Sequence, residues 1–328
     1  MGRNTYIGNL IYKLVLRTKG VEHKLWKRLR AHLVRLRIDP DCILPIHGRL
    51  LRLPLSHNLP LYQTLFPLYD QLPSRLGRFI RQHKGVLTCI DVGANIGDTI
   101  AAFYGHATDT FLAIEPNPRY RAYLQANWGW CDRVRIEAVL CTAAQGQAPF
   151  AIEEHGGTAI FVPIEHGVAY ETAPLDMLLQ EHHPFSAANV LKIDTDGFDF
   201  DVISGASQYI STHRPAILFE SAIGTRKTYT EDCLHTLQLL AHRGYTSFLL
   251  YDNFGYLMGK FSVHDFTALS NLLFYQITSP FGYFDILAMQ DEDMALFHQS
   301  EVQFFVERMV EAGLRPTATV AGLYTQRT

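Results

Sequence analysis

The chain has 328 residues, of which 48% are hydrophobic and 19% are charged, a balance typical of a protein with a sizeable core. Its formal net charge of −3 argues against a nucleic-acid-binding protein that relies on the charge of the whole chain. The five cysteines form no CxxC pair, and no apolar run approaches the roughly 20 residues that span a bilayer. The composition therefore favours a cytoplasmic protein without a disulfide framework or a zinc site.

The first 40 residues are strongly basic. They carry ten lysines and arginines against two acidic residues, a net charge of +8 that leaves −11 for the rest of the chain. Apolar residues at helical spacing on both sides of Gly20 predict two helices with basic polar faces. Two interpretations stay open: a packed helical lid with a solvated outer face, or a surface that docks on an anionic membrane or an assembly partner. The second interpretation places the protein peripherally at the inner face of the membrane.

The segment that follows has a different pattern of apolar residues. Residues 41–62 are predicted to be extended, with a hairpin turn at His47-Gly48, and residues 72–83 are predicted to form a helix. We therefore predict a basic helical and extended N-terminal region over residues 1–84.

From Val86 onward, short apolar runs alternate with helical patterns, which is typical of βαβ units. The predicted strands are 86–92, 110–116, 134–140, 190–194, 216–220, 246–251 and 285–289, and the predicted helices are 97–106, 117–127, 199–212 and 231–243. We predict one domain over residues 85–290, with a β-rich insertion at 141–175 and a loop-heavy segment at 252–284. A C-terminal helix at 292–313 and a tail complete the last region, residues 291–328.

The first predicted strand of this domain ends in the sequence Asp91-Val-Gly93-Ala-Asn95-Ile-Gly97-Asp. An open α/β sheet binds ligands at this junction between a strand and a helix. The spacing is GxxxG and not the GxGxxG that holds a pyrophosphate, so it excludes a dinucleotide-linked dehydrogenase. It favours a nucleoside that lacks a diphosphate and carries an amino-acid arm, whose cationic amino group Asp91 can accept.

Glu115 ends the second predicted strand, eighteen residues beyond Gly97. A carboxylate at this place can bind both ribose hydroxyls of a nucleoside. The structural alternative is a tight strand–helix turn followed by a solvated strand end. The combination of the glycine turn and the acid at this spacing favours the binding site.

The chain resembles the FkbM family of methyltransferases. The stretches that carry the resemblance are DVGANIGDT (91–99), AIEPNP (113–118), PLDMLL (174–179), LKIDTDGFDFDVISGA (191–206) and RPAILFE (214–220). The resemblance implies a Rossmann-like class I methyltransferase sheet of seven mostly parallel strands, the last antiparallel. It further implies S-adenosyl-L-methionine as the methyl donor and O-methylation of a hydroxyl on a sugar, a polyketide or another small metabolite.

The resemblance also implies which residues form the site. Those that match the donor-binding positions are Asp91, Gly93, Asn95 and Gly97 for the amino-acid arm, Glu115 for the ribose, and Asn117, Val139 and Leu140 for the adenine end. Asp194 ends the fourth strand and faces the methyl group. The family usually has KxDxEGxE, whereas this chain has Lys192-Ile-Asp194-Thr-Asp196-Gly197-Phe-Asp199. Because these carboxylates are one methylene shorter, the contacts of Asp196 and Asp199 cannot be transferred directly.

Methyl transfer to a hydroxyl needs a general base within hydrogen-bonding reach. Asp194 is the first candidate, followed by Asp196 and His155, although Asp194 could instead orient the acceptor or contact the donor. Lys192 is interpreted as a structural partner of a carboxylate, and Glu220 as either an acceptor contact or a solvated strand end. Adjacent histidines rarely share one ion, so no metal is predicted at His182-His183.

The sequence therefore predicts a methyltransferase that acts on a small molecule or a glycan, with no nucleic-acid partner. The alternative is an inactive methyltransferase fold that serves as a binding or scaffolding module in a glycan-assembly complex. The pattern leaves the acceptor and the oligomeric state open.

Overall fold

The computed structural model describes residues 3–223, 227–279 and 283–313. In these ranges the helices are α1 (Arg3–Arg17), α2 (Gly20–Arg35), α3 (Leu59–Leu65), α4 (Leu72–Lys84), α5 (Asp98–Phe103), α6 (Pro118–Trp128), α7 (Leu175–Glu181), α8 (Asp199–Gly205), α9 (Ser207–His213), α10 (Tyr229–Ala241), α11 (Phe266–Thr278) and α12 (Asp291–Glu311). The strands are β1 (Asp41–Ile46), β2 (Arg49–Pro54), β3 (Thr88–Val92), β4 (Thr110–Ile114), β5 (Val134–Glu137), β6 (Leu140–Cys141), β7 (Gly146–His155), β8 (Thr158–Pro163), β9 (Val168–Ala173), β10 (Val190–Ile193), β11 (Ala216–Ala222), β12 (Ser247–Tyr251), β13 (Leu257–Ser262) and β14 (Tyr283–Ala288).

The large sheet has the order β13-β12-β14-β11-β10-β3-β4-β5. Strands β3, β4, β5, β10 and β11 pair in parallel, and β14 runs antiparallel between β11 and β12. This is the predicted α/β class with its antiparallel last strand. The strand order reverses between the neighbouring strands β3 and β10, and a crevice at the carboxyl ends of two such strands is the usual ligand site of this kind of sheet.

The central strands are buried on both faces, as parallel strands covered by helices must be. Successive residues of β3 alternate between two hydrophobic clusters, with Cys89 in one and Ile90 and Val92 in the other. Asp91 therefore points to the same face of the sheet as Cys89. That face also packs against the N-terminal region, so the site forms between the sheet and that region.

The structure corrects the predicted secondary structure at four places. Residues 59–62, predicted to be extended, begin helix α3 (Leu59–Leu65). The segment 252–284, predicted to be loop-heavy, contains strand β13 and helix α11, and β13 extends the sheet to eight strands. The predicted third strand stops at Glu137, and Val139 and Leu140 follow it as the chain enters a second sheet. The predicted helix 199–212 is divided at Ala206 into α8 and α9.

Other predicted elements are present. The hairpin of β1 and β2 turns at His47 and Gly48, whose φ angles of 46° and 75° suit a tight two-residue turn. The insertion forms the second sheet, with the order β6-β9-β7-β8. The predicted tail beyond residue 313 lies outside the described residues.

The three predicted regions share one hydrophobic cluster, which draws Ile11, Leu76, Cys89 and Phe297 together. Helix α12 is fixed by a buried ion pair in which Arg75 Nε lies 2.6 Å from Glu301 Oε1. None of the described helices is long and apolar enough to cross a membrane.

Candidate active site

The turn between β3 and α5 is shaped by its two glycines. Gly93 has a φ of 81°, and a Cβ there would lie 1.8 Å from the carbonyl oxygen of Asp194. At Gly97 a Cβ would lie 2.3 Å from the Trp128 ring. Both glycines are therefore required for close protein packing, and Gly97 faces the indole of α6 and does not line the cleft. Gly93 brings the ends of β3 and β10 together, which places Asp194 beside the turn.

The Glu115 carboxylate is held by the loops that follow strands β3 and β4. Its Oε2 accepts the backbone N–H of Asn95 at 2.8 Å, and its Oε1 accepts that of Asn117 at 2.7 Å. Burial raises the pKa of this carboxyl to about 7, although the two backbone donors act in the opposite direction. Each oxygen keeps a lone pair that can accept another hydrogen bond. Glu115 is thus fixed in orientation before any ligand arrives.

A cleft of about 430 Å³ lies over this carboxylate. We call it the donor cleft; it is lined by Val92, Gly93, Asn95, Glu115, Pro116, Tyr120, Val139, Leu140, Cys141, Ala159, Phe161, Asp194, Thr195 and Asp196. The structure therefore brings seven of the predicted site residues together. Sequence reasoning missed Ala159 and Phe161, which the insertion sheet contributes from β8, because no local pattern shows where that sheet packs.

Asp91 does not line the donor cleft. It is fully buried, with its Oδ1 3.3 Å from Lys192 Nζ, and the same ammonium lies 3.3 Å from Asp194 Oδ2. Lys192 stands directly opposite Asp91 in the β3–β10 register. Burial lowers the pKa of Lys192, but the carboxylates of Asp194 and Asp91 outweigh it, and the pKa is raised well above its usual value. The observed partner of Asp91 is thus a lysine, which also fits the structural role predicted for Lys192.

Asn117 caps helix α6 instead of facing a ligand. Its Oδ1 accepts the N–H of Arg119 at 2.8 Å, and its Nδ2 donates to Glu154 at 2.9 Å. The side chain is 1% exposed and is not among the residues of the cleft. The predicted contact with adenine therefore does not match this position, because N-capping uses the same amide.

A second and larger cavity adjoins the donor cleft. It has a volume of about 1970 Å³ including its open mouth, and we call it the acceptor chamber. Its walls include His57, Tyr69 and Asp70 from the N-terminal region, the β7–β8 turn, and Phe254. The two spaces share Gly93, Asn95, Asp194 and Asp196.

The chamber is strongly acidic. Its described lining has six carboxyl groups, Asp70, Asp98, Asp194, Asp196, Glu220 and Asp285, and Lys192 is the single lysine or arginine among the described lining residues. Burial raises the pKa of Asp98 to about 6 and that of Asp285 to about 7. Burial and the neighbouring carboxylates also raise the pKa of Glu220, which stands opposite Asp285 between β11 and β14. The carboxyl groups that are ionised would repel an anionic ligand, and those that are protonated would be neutral hydrogen-bonding groups.

His155 lies at the exposed end of β7, and neither cavity includes it among its described lining. The position therefore does not support its predicted role as a base. The structure instead places His57 in the chamber wall, where it is 6% exposed. Its Nδ1 accepts the N–H of Leu59 at 3.3 Å, which leaves Nε2 to donate to Asn95 Oδ1 at 3.3 Å.

His57 and Asn95 form a bridge between three parts of the chain. Burial lowers the pKa of His57 to about 4, so the ring is neutral at neutral pH. Asn95 Nδ2 donates to the carbonyl oxygen of Gly157 at 2.7 Å. The glycine turn, the N-terminal region and the insertion hairpin are thus linked at the rim of the donor cleft.

Three carboxylates at the junction of the cavities could hold a cation. Asp194, Asp196 and Glu220 each offer one oxygen, and these atoms lie within 4.8 Å of one another. Asp199 does not join them, since its Oδ2 accepts the hydroxyl of Thr195 at 2.7 Å and shapes the loop. Oxygen ligands of this kind suit Mg²⁺ or Ca²⁺.

Comparison with known proteins identifies a family model that part of the chain matches. Residues 91–247 match the family model of the methyltransferase FkbM domain, which confirms the resemblance and supports S-adenosylmethionine as the cofactor. No curated protein matches this chain.

Several solved structures resemble the chain. A methyltransferase FkbM from Methylobacillus flagellatus KT is 18% identical with a TM-score of 0.34; the match covers 47% of this chain and 37% of that chain, so it spans little more than a third of that protein. An O-methyltransferase from Bacillus cereus in complex with SAH is 11% identical with a TM-score of 0.37, covering 66% of this chain and 80% of that one. A fibrillarin from Aeropyrum pernix with natively bound S-adenosyl-L-methionine is 11% identical with a TM-score of 0.34, covering 62% and 66%.

Proposed function

We propose that the chain, whose residues 91–247 match the family model of the methyltransferase FkbM domain, methylates a hydroxyl of a sugar or glycan. The observation that supports the proposal most is the junction of the two cavities. The donor cleft meets the acceptor chamber at Asp194, which lines both.

In this proposal the donor cleft holds S-adenosylmethionine. Val139 and Leu140 offer apolar surface to the adenine ring, and Glu115 offers two fixed acceptors to the ribose hydroxyls. Gly93 and Asn95, which line the same cleft, would hold the amino-acid arm. The bound sulfonium supplies an activated methyl group, so the protein mainly has to align the acceptor and exclude water.

Asp194 acts as the general base. With the donor bound, the Asp194 carboxylate would accept the proton of the acceptor hydroxyl as that oxygen takes the methyl group and S-adenosylhomocysteine leaves. Lys192 Nζ, 3.3 Å from Asp194 Oδ2, orients this carboxylate while leaving Oδ1 for the acceptor. The products are a methyl ether and S-adenosylhomocysteine.

The chamber favours a neutral, hydroxyl-rich acceptor. Carboxylates accept hydrogen bonds from hydroxyls, and six of them face this space. Phe66 and Phe254 pack at the wall with ring centroids 4.2 Å apart and give the acceptor an apolar face. Sugars combine hydroxyl edges with apolar faces, whereas phosphorylated or carboxylated compounds would meet the acidic wall.

We expect methyl transfer to neutral oligosaccharides when the chain is incubated with deuterium-labelled S-adenosylmethionine. Mass spectrometry should detect one labelled methyl group on a neutral glycan and much less on the matched sugar phosphate. Donor binding by calorimetry without transfer to any hydroxylated acceptor would instead support the scaffolding alternative.

Repeating the assay with a chelator tests whether Asp194 acts as a general base or as a metal ligand. If Asp194 acts as the base, EDTA should leave the rate unchanged. Loss of the rate in EDTA and its recovery with Mg²⁺ would assign Asp194, Asp196 and Glu220 to a cation and contradict the base role.

A further inference from the structure

Helix α2 is only lightly attached to the rest of the protein. Arg30 is its one buried residue, at 8% exposure. The Arg30 guanidinium donates to the carbonyl oxygens of Leu55, Ser56 and His57. Most of the helix surface is therefore free to contact something outside the chain.

The free surface of α1 and α2 is apolar along a stripe. On α2 and its C-cap, Val21, Leu25, Leu29 and Leu36 follow one another at spacings of a single helix face, and they are 85%, 61%, 37% and 55% exposed. Helix α1, which packs against α2, also exposes apolar side chains, Tyr6, Ile7 and Leu10, at 66%, 44% and 44%. A helix usually turns such a stripe toward a core, so this one lacks its partner in the described chain.

Cations surround the stripe. The exposed lysines and arginines of residues 5–38 are Lys13, Arg17, Lys19, Lys24, Lys27, Arg28, Arg35 and Arg37. Glu22 is the one acid in this range. Arg30 is not part of this surface, because its guanidinium donates to the carbonyl oxygens of residues 55–57 and to Asn58 Oδ1.

We infer that α1 and α2 dock the protein on the surface of a bilayer that contains anionic phospholipid. Apolar side chains of such helices enter the boundary of the acyl chains, and the long stems of lysine and arginine let their charges reach the lipid phosphates. Because Glu22 is the one acidic residue among residues 5–38, the surface of α1 and α2 is complementary to negatively charged lipid headgroups. Charge complementarity therefore favours the bilayer over a protein partner with mixed charge.

Docking would also place the acceptor chamber near the bilayer. Arg30 fastens α2 to the carbonyl oxygen of His57, and His57 lines the chamber. The inference does not depend on the proposed function, because neither cavity takes part in the membrane contact.

Flotation of the full-length protein with vesicles tests the inference. We expect binding to phosphatidylcholine vesicles that contain phosphatidylglycerol, little binding to phosphatidylcholine alone, and release at high salt. Lys24→Glu with Arg28→Glu should lower binding about tenfold or more, and Val21→Glu with Leu25→Glu should do the same by removing the apolar contact. All four positions are exposed, so the fold should be kept.

The matched control is Arg133→Glu with Lys260→Glu, two exposed cations outside this surface, and it should bind as the wild type does. Equal flotation of the wild type and the α2 variants, or none with either vesicle, would overturn the inference. Self-association that Leu25→Glu abolishes, without vesicle binding, would assign the surface to a second copy of the chain and would also overturn it.

Discussion

Glu115→Gln is expected to weaken S-adenosylmethionine binding by more than tenfold. The wild-type carboxylate already accepts the N–H groups of Asn95 and Asn117 and can accept both ribose hydroxyls as well. The amide presents one acceptor, and its NH₂ group would face a backbone N–H. Hydrogen bonds to charged groups contribute about 1.5–3 kcal/mol, which corresponds to roughly tenfold or more in affinity.

Calorimetry with S-adenosylhomocysteine measures this change. Glu171→Gln, at an exposed position of β9, is the matched control and should bind as the wild type does. Since burial raises the pKa of Glu115 to about 7, the wild-type affinity should rise as the pH increases through that value, and the Gln variant should lose this component. A folded variant with an unchanged dissociation constant would remove Glu115 from the site.

Asp194→Asn is expected to lower kcat by about 10²- to 10⁴-fold, the usual contribution of a general base. The substitution keeps the shape of the side chain and the bond from the Asp194 N–H to the Val92 carbonyl oxygen. Donor affinity should therefore stay near the wild-type value. Labelled-methyl transfer gives kcat, and calorimetry gives the donor affinity of the same sample.

Asp132→Asn, at an exposed surface position, is the control for the loss of one carboxylate and should change neither quantity. Equal turnover in Asp194→Asn and the wild type would refute the base role. A parallel loss of donor affinity and turnover would instead assign Asp194 to donor binding.

Much of the fold is predictable because its signals are local. The buried strands β3, β4, β10 and β11 are short and mostly apolar, and β3, β4 and β10 are each followed by a glycine or an acidic residue at the carboxyl edge of the sheet. Parallel strands bring these ends together. Gly93 and Glu115 could therefore be placed near one another from their spacing, and the family resemblance added Asp194.

Other parts of the site depend on contacts between distant segments. His57 reaches Asn95 across the N-terminal region, and Phe161 comes from the insertion sheet. Asn117 was misassigned for a different reason. An asparagine at this position can either cap a helix or contact a ligand, and here it caps the start of α6. Asp91 meets Lys192 through the register of two strands, which the sequence pattern does not fix.

Strand β13 was not predicted because the sequence around it is typical of loops. Residues 252–256 form a turn between β12 and β13, and their aromatic and glycine residues are typical of loops. The strand contains Gly259 in a region of φ that favours glycine, which weakens the strand pattern. These residues form a strand because they pair with β12, a tertiary contact that the local sequence does not show.

A crystal structure of the protein with S-adenosylhomocysteine tests the central claim most directly. The account predicts the adenosine in the donor cleft, with both ribose hydroxyls on Glu115, the adenine ring against Val139 and Leu140, and the sulfur directed toward Asp194. An empty cleft at saturating ligand, or the ligand bound elsewhere on the protein, would contradict it.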